Sequence, residues 1–201
     1  VGNPNPAILA KMTNASFLNG VFTPTYGTDG ANATSALLYN LQVASPGVNS
    51  GLVDTATGQA IFLYKVGSDI VGRVGNSSGA EAFRIQMNAT SGSTTLTQSR
   101  SLSHGTDGST ATDHNDALSI ANNAVVVRAV AMDGDGDGAI QRVNIGNKFS
   151  FLDDCPVFVS LTTATVSEAD LPLCCSPTPS ALTQSGPLTT NFGSYKGTAS
   201  E

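Results

Sequence analysis

Ala60-Ile-Phe-Leu-Tyr-Lys-Val66 runs through Gly67-Ser68-Asp69 into Ile70-Val-Gly-Arg-Val74. Two runs rich in β-branched and aromatic residues flank a Gly-Ser-Asp turn, which predicts two strands joined as a hairpin. The same reading extends outward. In Leu37–Val43, residues Leu37, Tyr39, Leu41 and Val43 share one face of a period-2 pattern. Phe83, Ile85 and Met87 alternate with Arg84 and Gln86, and Thr94–Gln98 is Thr-rich. Val125–Ala131 is almost continuously apolar, the pattern of a strand buried on both faces. Val143–Ile145, Lys148–Leu152 and Val157–Val166 complete the predicted set. Helical signal is confined to one expected turn at Asp116–Ala121, with Asp113 or Asn115 as its cap. Short strands separated by Gly, Asn, Ser and Asp clusters predict an all-β protein, a β-sandwich with long polar loops.

The chain of 201 residues is long enough for one sizeable core. Only 12% of its residues are charged, so its surface is built from Ser, Thr, Asn, Gly and Asp, as in extracellular β-proteins. Net charge is −6, and the nine Lys and Arg residues are scattered, which argues against nucleic acid as a partner. The longest apolar run, Ala124–Ala131, is short and holds Arg128, so no membrane insertion is expected. No signal peptide is visible, and the chain reads as a piece of something larger.

The acids are concentrated: eight of the fifteen lie between Asp107 and Asp154. Asp133-Gly-Asp135-Gly-Asp137-Gly138 places three carboxylates at alternate positions, with glycines that let the backbone turn tightly. Such carboxylates repel one another without a counter-charge. Hard oxygen ligands in a flexible loop suit Ca²⁺, which takes six to eight of them. The opening matches an EF-hand loop, but Asn144 stands where a bidentate Glu belongs, and no amphipathic helices flank it. Ca²⁺ in another fold is therefore expected, held by Asp133, Asp135 and Asp137, with Asp153, Asp154 and Asp29 as further ligands.

Residues 19–30 (NGVFTPTYGTDG) and 185–196 (SGPLTTNFGSYK) share Gly20/Gly186, Thr23/Thr189 and Gly27/Gly193. The similarity suggests a tandem array. With the Pro-containing linker 171–180 between the copies, the expected organisation is a domain at 1–170 and a linker plus the start, or imitation, of a following repeat at 171–201. Cys155, Cys174 and Cys175 are odd in number, and their pairing stays open. His104 and His114 lack the spacing of a metal-binding helix. Ser103, His104 and Asp107 supply the residue types of a triad, but neighbours in sequence rarely adopt triad geometry, so no enzyme is expected.

Residues 50–74 (SGLVDTATGQAIFLYKVGSDIVGRV), 81–104 (EAFRIQMNATSGSTTLTQSRSLSH), 124–138 (AVVVRAVAMDGDGDG) and 149–156 (FSFLDDCP) together resemble a repeat domain of giant bacterial RTX adhesins exported by type I secretion. The usual D-D-G-P ending carries Cys155 in place of Gly. The resemblance implies Ca²⁺-dependent folding at the bacterial cell surface. Similar domains include a module that recognises peptide or protein C-termini on host or algal surfaces in biofilm-forming attachment. A second polar loop, His104–Asp116, is dense in oxygen ligands, so Asp107, Asp113, Asn115 and Asp116 are the expected ligand-facing set. The alternatives are a structural extender repeat without its own ligand and a Ca²⁺-dependent carbohydrate-binding module.

Overall fold

The computed structural model describes residues 8–105 and 116–152, and the backbone of two further strands at 157–160 and 189–191. Contacts divide the chain into two compact units, Val1–Asp153 and Asp154–Glu201. The expected boundary at 170/171 lies outside the described residues.

The first unit is all-β and antiparallel. Its strands are β1 (Ala10–Asn14), β2 (Leu37–Val43), β3 (Val48–Val53), β4 (Ala60–Val66), β5 (Asp69–Val74), β6 (Glu81–Met87), β7 (Thr94–Gln98), β8 (Ala117–Ser119), β9 (Val125–Met132), β10 (Gly138–Asn144) and β11 (Ser150–Leu152). One 3₁₀ turn, Gly146–Lys148, precedes β11. In the second unit β12 (Val157–Ser160) pairs with β13 (Thr189–Asn191).

Strands β3 to β7 run as a meander, and β1 closes its far side, giving a six-stranded sheet of order β1-β7-β6-β5-β4-β3. The turn chemistry explains the meander. Val66 pairs with Asp69, leaving Gly67-Ser68 as a two-residue loop. Gly67 has φ 62°, the positive value that a II′ hairpin turn requires at its first central position. At the β6–β7 turn the Asn88 carboxamide oxygen accepts the N–H groups of Thr90 and Ser91. The second sheet has order β10-β9-β2, and a short pair joins β11 to β8.

Alternation along the strands sends one face of each sheet into a common hydrophobic cluster. Ile61, Leu63, Ile70, Phe83 and Ile85 of the six-stranded sheet join Leu41, Val125 and Val127 of the three-stranded one, all at 0–1% exposure. Gly72 makes room for Phe83: a Cβ there would lie 2.5 Å from the Phe83 ring. Phe83 in turn meets Phe151 at 5.1 Å between ring centroids.

Two expectations are corrected. Strand β9 is buried on one face only; Val126, Arg128 and Val130 lie half-exposed on the other, which nothing among the described residues roofs over. Residues 117–119 form a strand, not a helical turn, because Leu152, Phe151 and Ser150 supply a pairing edge opposite Ala117, Leu118 and Ser119. A distant edge of that kind leaves no trace in the local pattern.

Candidate metal centre

The Asp-Gly run is the loop of the β9–β10 hairpin. Met132 pairs with Gly138, so residues 133–137 make the turn. Asp133 holds it closed: its N–H donates to the Asp137 carbonyl at 3.0 Å, and its Oδ1 accepts the N–H groups of Gly136 at 3.1 Å and Asp137 at 2.8 Å. Gly136 has φ 100°, a conformation side chains rarely adopt. The run thus folds as a turn capped from within by the Asp133 carboxylate.

A second segment lies against this turn. Ala31 forms a bridge with Asp133, Gly134 N–H donates to the Gly30 carbonyl at 3.0 Å, and Asn32 N–H donates to the Met132 carbonyl at 3.0 Å. The approach is so close that a Cβ on Gly134 would lie 2.5 Å from the Asp29 carbonyl oxygen. The segment is anchored from behind. Leu18 and Phe22 are buried in the core, Phe22 packs on Tyr39 at 5.7 Å, and the Tyr26 hydroxyl donates to the Ala36 carbonyl at 2.9 Å. The Asn32 side-chain oxygen then accepts the N–H groups of Thr34 and Ser35, turning the chain into β2.

The outcome is a group of three carboxylates, Asp29, Asp133 and Asp135, with one oxygen from each lying within 4.8 Å of the others. Asp29 and Asp135 are exposed and Asp133 half-buried. Side-chain hydrogen bonding with Asp135 raises Asp133 above the usual aspartate range; desolvation and the Asp135 charge add to it. The same bonding lowers Asp135. Carboxylates gathered this closely lack a counter-charge, and a hard, oxygen-seeking metal ion fits this donor set.

Of the residues expected to bind metal, Asp29, Asp133 and Asp135 are brought together. Asp137 contributes its N–H to the turn, while its carboxylate stands outside that group. Asp153 and Asp154 lie outside the described residues, as do Asp107, Asp113 and Asn115. Asp116 is elsewhere: its Oδ1 faces His104 Nδ1 at 3.4 Å, and neither atom makes a hydrogen bond among the described residues. The His104 side chain is 7% exposed, placed for packing beside Asp116. His114 is outside the described residues.

Sequence reasoning missed a different acidic site. Asp54, at 0% exposure, accepts a two-pronged pair of hydrogen bonds from Arg100, Nε at 2.7 Å and the second nitrogen at 3.0 Å. Thr57 adds its N–H and hydroxyl. Burial pushes the Asp54 carboxyl up, but the bonds from Arg100 and Thr57 together outweigh it and hold the group below its usual range. The local signal was Asp54-Thr-Ala-Thr57-Gly58, an Asp at the head of a turn. The partner at 100 had no signal.

A family profile described as Domain of unknown function (DUF5801) matches residues 8–146, and the chain belongs to that family. The match runs from the entry to β1 through the end of β10, and so contains Asp29, Asp133 and Asp135. No curated protein and no solved structure matches the chain.

Proposed function

We propose that this chain is a Ca²⁺-stabilised β-sandwich module of an extracellular bacterial adhesin, and that it recognises a peptide or protein terminus through its ion. The observation that carries the reading is the arrival of Asp29, remote in sequence, beside Asp133 and Asp135. A lone Asp-Gly turn needs no such partner. The sandwich reading rests on the core shared by the two larger sheets.

Asp29, Asp133 and Asp135 would hold the ion, and Ca²⁺ would supply the positive charge that the three carboxylates lack. Bound there, it would tie the segment 29–32 to the β9–β10 hairpin, adding to the backbone hydrogen bonds that join the two. Exposure of Asp29 and Asp135 leaves the outward side open to solvent. A terminal carboxylate is a suitable ligand for that side, since it offers two oxygens. Binding is then Ca²⁺-dependent, as attachment outside the cell, where Ca²⁺ is plentiful, requires.

The test is calorimetric titration with Ca²⁺, followed by titration of the loaded protein with short peptides whose C-terminus is free or amidated. Saturable Ca²⁺ binding that Asp29→Asn abolishes is expected, together with peptide binding that needs both ion and free carboxylate. Ca²⁺ binding without any peptide binding would leave a structural extender. Unchanged Ca²⁺ binding in Asp29→Asn would remove the site itself.

A further inference from the structure

The chain has five arginines, and the structure treats them unequally. Arg73 donates to the Gly79 carbonyl, Arg84 is held by Glu81 and Asp69, and Arg100 is held by Asp54. Arg128 and Arg142 have no ion-pair or hydrogen-bond partner among the described residues. They are also direct neighbours: the β9–β10 register sets Arg142 opposite Arg128. Like charges directly opposite one another on adjacent strands are destabilising.

Both side chains lie on the outer face of the three-stranded sheet. On β9, Val125, Val127 and Ala129 enter the core, so Arg128 and Val130 point away from it. On β10, Val143 packs against the core, so Ile140 and Arg142 share the outer face. The register then lines up two rows across the sheet: Arg142, Arg128 and Asn40, beside Ile140, Val130 and Leu38. Ile140 is 51% exposed.

The rows end at an open edge. Strand β2, on the other side of the sheet, is partly closed: Tyr39 N–H donates to the Ala89 carbonyl at 2.7 Å, and Lys65 Nζ donates to the Leu41 carbonyl at 2.6 Å. Strand β10 pairs only with β9, and its outward backbone groups have no partner among the described residues. A charged residue on such an edge commonly guards against unwanted pairing. That account covers Arg142. It leaves Arg128, on the central strand, unexplained, because a second arginine behind the edge adds repulsion without guarding anything.

We propose that the β10 edge is a docking site for an extended acidic peptide segment, which adds as a fourth strand and places a carboxylate against Arg142 and Arg128. The peptide backbone would pair with β10, about 4.8 Å away. An acidic side chain opposite Arg142 meets two guanidinium forks, and an apolar side chain two residues along covers Ile140. The arginine pair is repulsive in the free protein and satisfied in the complex. Two copies of this chain joined through β10 would instead gather four arginines, which disfavours self-pairing. The site is separate from the carboxylate group and needs no ion.

The test uses the full chain in Ca²⁺ buffer and fluorescence anisotropy of a labelled Thr-Thr-Glu-Thr-Val-Thr-Thr peptide. Both its ends are blocked, so that recognition of a terminus cannot contribute. Saturable binding is expected, weakened by salt, lost when Gln replaces Glu, and roughly tenfold weaker in Arg128→Thr and in Arg142→Thr. Circular dichroism checks that both variants fold, and Arg128→Thr relieves repulsion. Equal binding of the Glu and Gln peptides, or unchanged binding in both variants, would overturn the proposal. So would an Arg142→Thr chain that dimerises while the acidic peptide never binds wild type, for then Arg142 only guards the edge. Binding of polygalacturonate but of no acidic peptide would also overturn it, in favour of a glycan.

Discussion

Asp54 and the Asp29–Asp133–Asp135 group are both acidic sites at turns, and they solve the problem of negative charge in opposite ways. Asp54 is buried and fully answered from within the chain, by Arg100 and Thr57. The trio lies at the surface, Asp135 raises the Asp133 carboxyl above its usual range, and no cation of the chain is paired with it among the described residues. A site that the chain neutralises itself is part of the scaffold. One that it leaves unneutralised depends on what the solution supplies.

The largest effect is expected at Asp54. Removing the buried Asp54 carboxylate takes the acceptor from the Thr57 donors and from two Arg100 nitrogens. Asp54→Ala should therefore destabilise the first unit by about 3–5 kcal/mol, read by urea unfolding. A loss no greater than that of an ordinary surface substitution would erase the contrast between the two sites.

Next comes removal of the cation. Chelation with EDTA should lower the melting temperature of wild type, and Asp135→Asn should melt at the chelated temperature with or without Ca²⁺. Gly134→Ala sharpens the point. Its Cβ would press on the Asp29 carbonyl and push the 29–32 segment away, so the Ca²⁺-induced shift should shrink although every carboxylate remains. An undiminished shift in Gly134→Ala would show that Asp29 does not need its present position.

Acid should separate the sites by sign. Asp54 is held below its ordinary range when folded, so its contribution is present above that range and is lost as pH falls through the lowered value. Asp54→Asn should flatten the acid limb of a stability–pH profile. Asp133 is raised, so protons compete with a cation there at higher pH than at an ordinary aspartate, and Ca²⁺ affinity should fall as pH falls through that raised titration. Ca²⁺ affinity independent of pH across the acid range would dissociate Asp133 from the ion.

The smallest effect concerns the other uncompensated charges, Arg128 and Arg142. Arg128→Thr should stabilise the chain by about 0.2–1 kcal/mol, the repulsion between directly opposed like charges. Destabilisation on thermal melting would mean that Arg128 contributes packing instead.

Much of this was legible because the relevant physics is local. Strand alternation at 37–43, 60–66 and 83–87 follows from the period of the pleat, and the Gly67-Ser68 turn from the φ that glycine permits. β1 (Ala10–Asn14), exposed along its whole length, carries no hydrophobic alternation and exists because β7 offers it an edge. β8 likewise depends on a partner distant in sequence, β11.

Composition and short-range spacing were enough to read a β-rich chain and a run of three carboxylates at Asp133, Asp135 and Asp137. It took strand pairing and packing to bring Asp29 to Asp133 and Asp135, Arg100 to Asp54, and Arg128 opposite Arg142 with no counter-ion among the described residues. These are encounters between residues distant along the chain or across a register. Their energy depends on strand pairing and burial, and no window of sequence contains both partners together with the geometry that joins them.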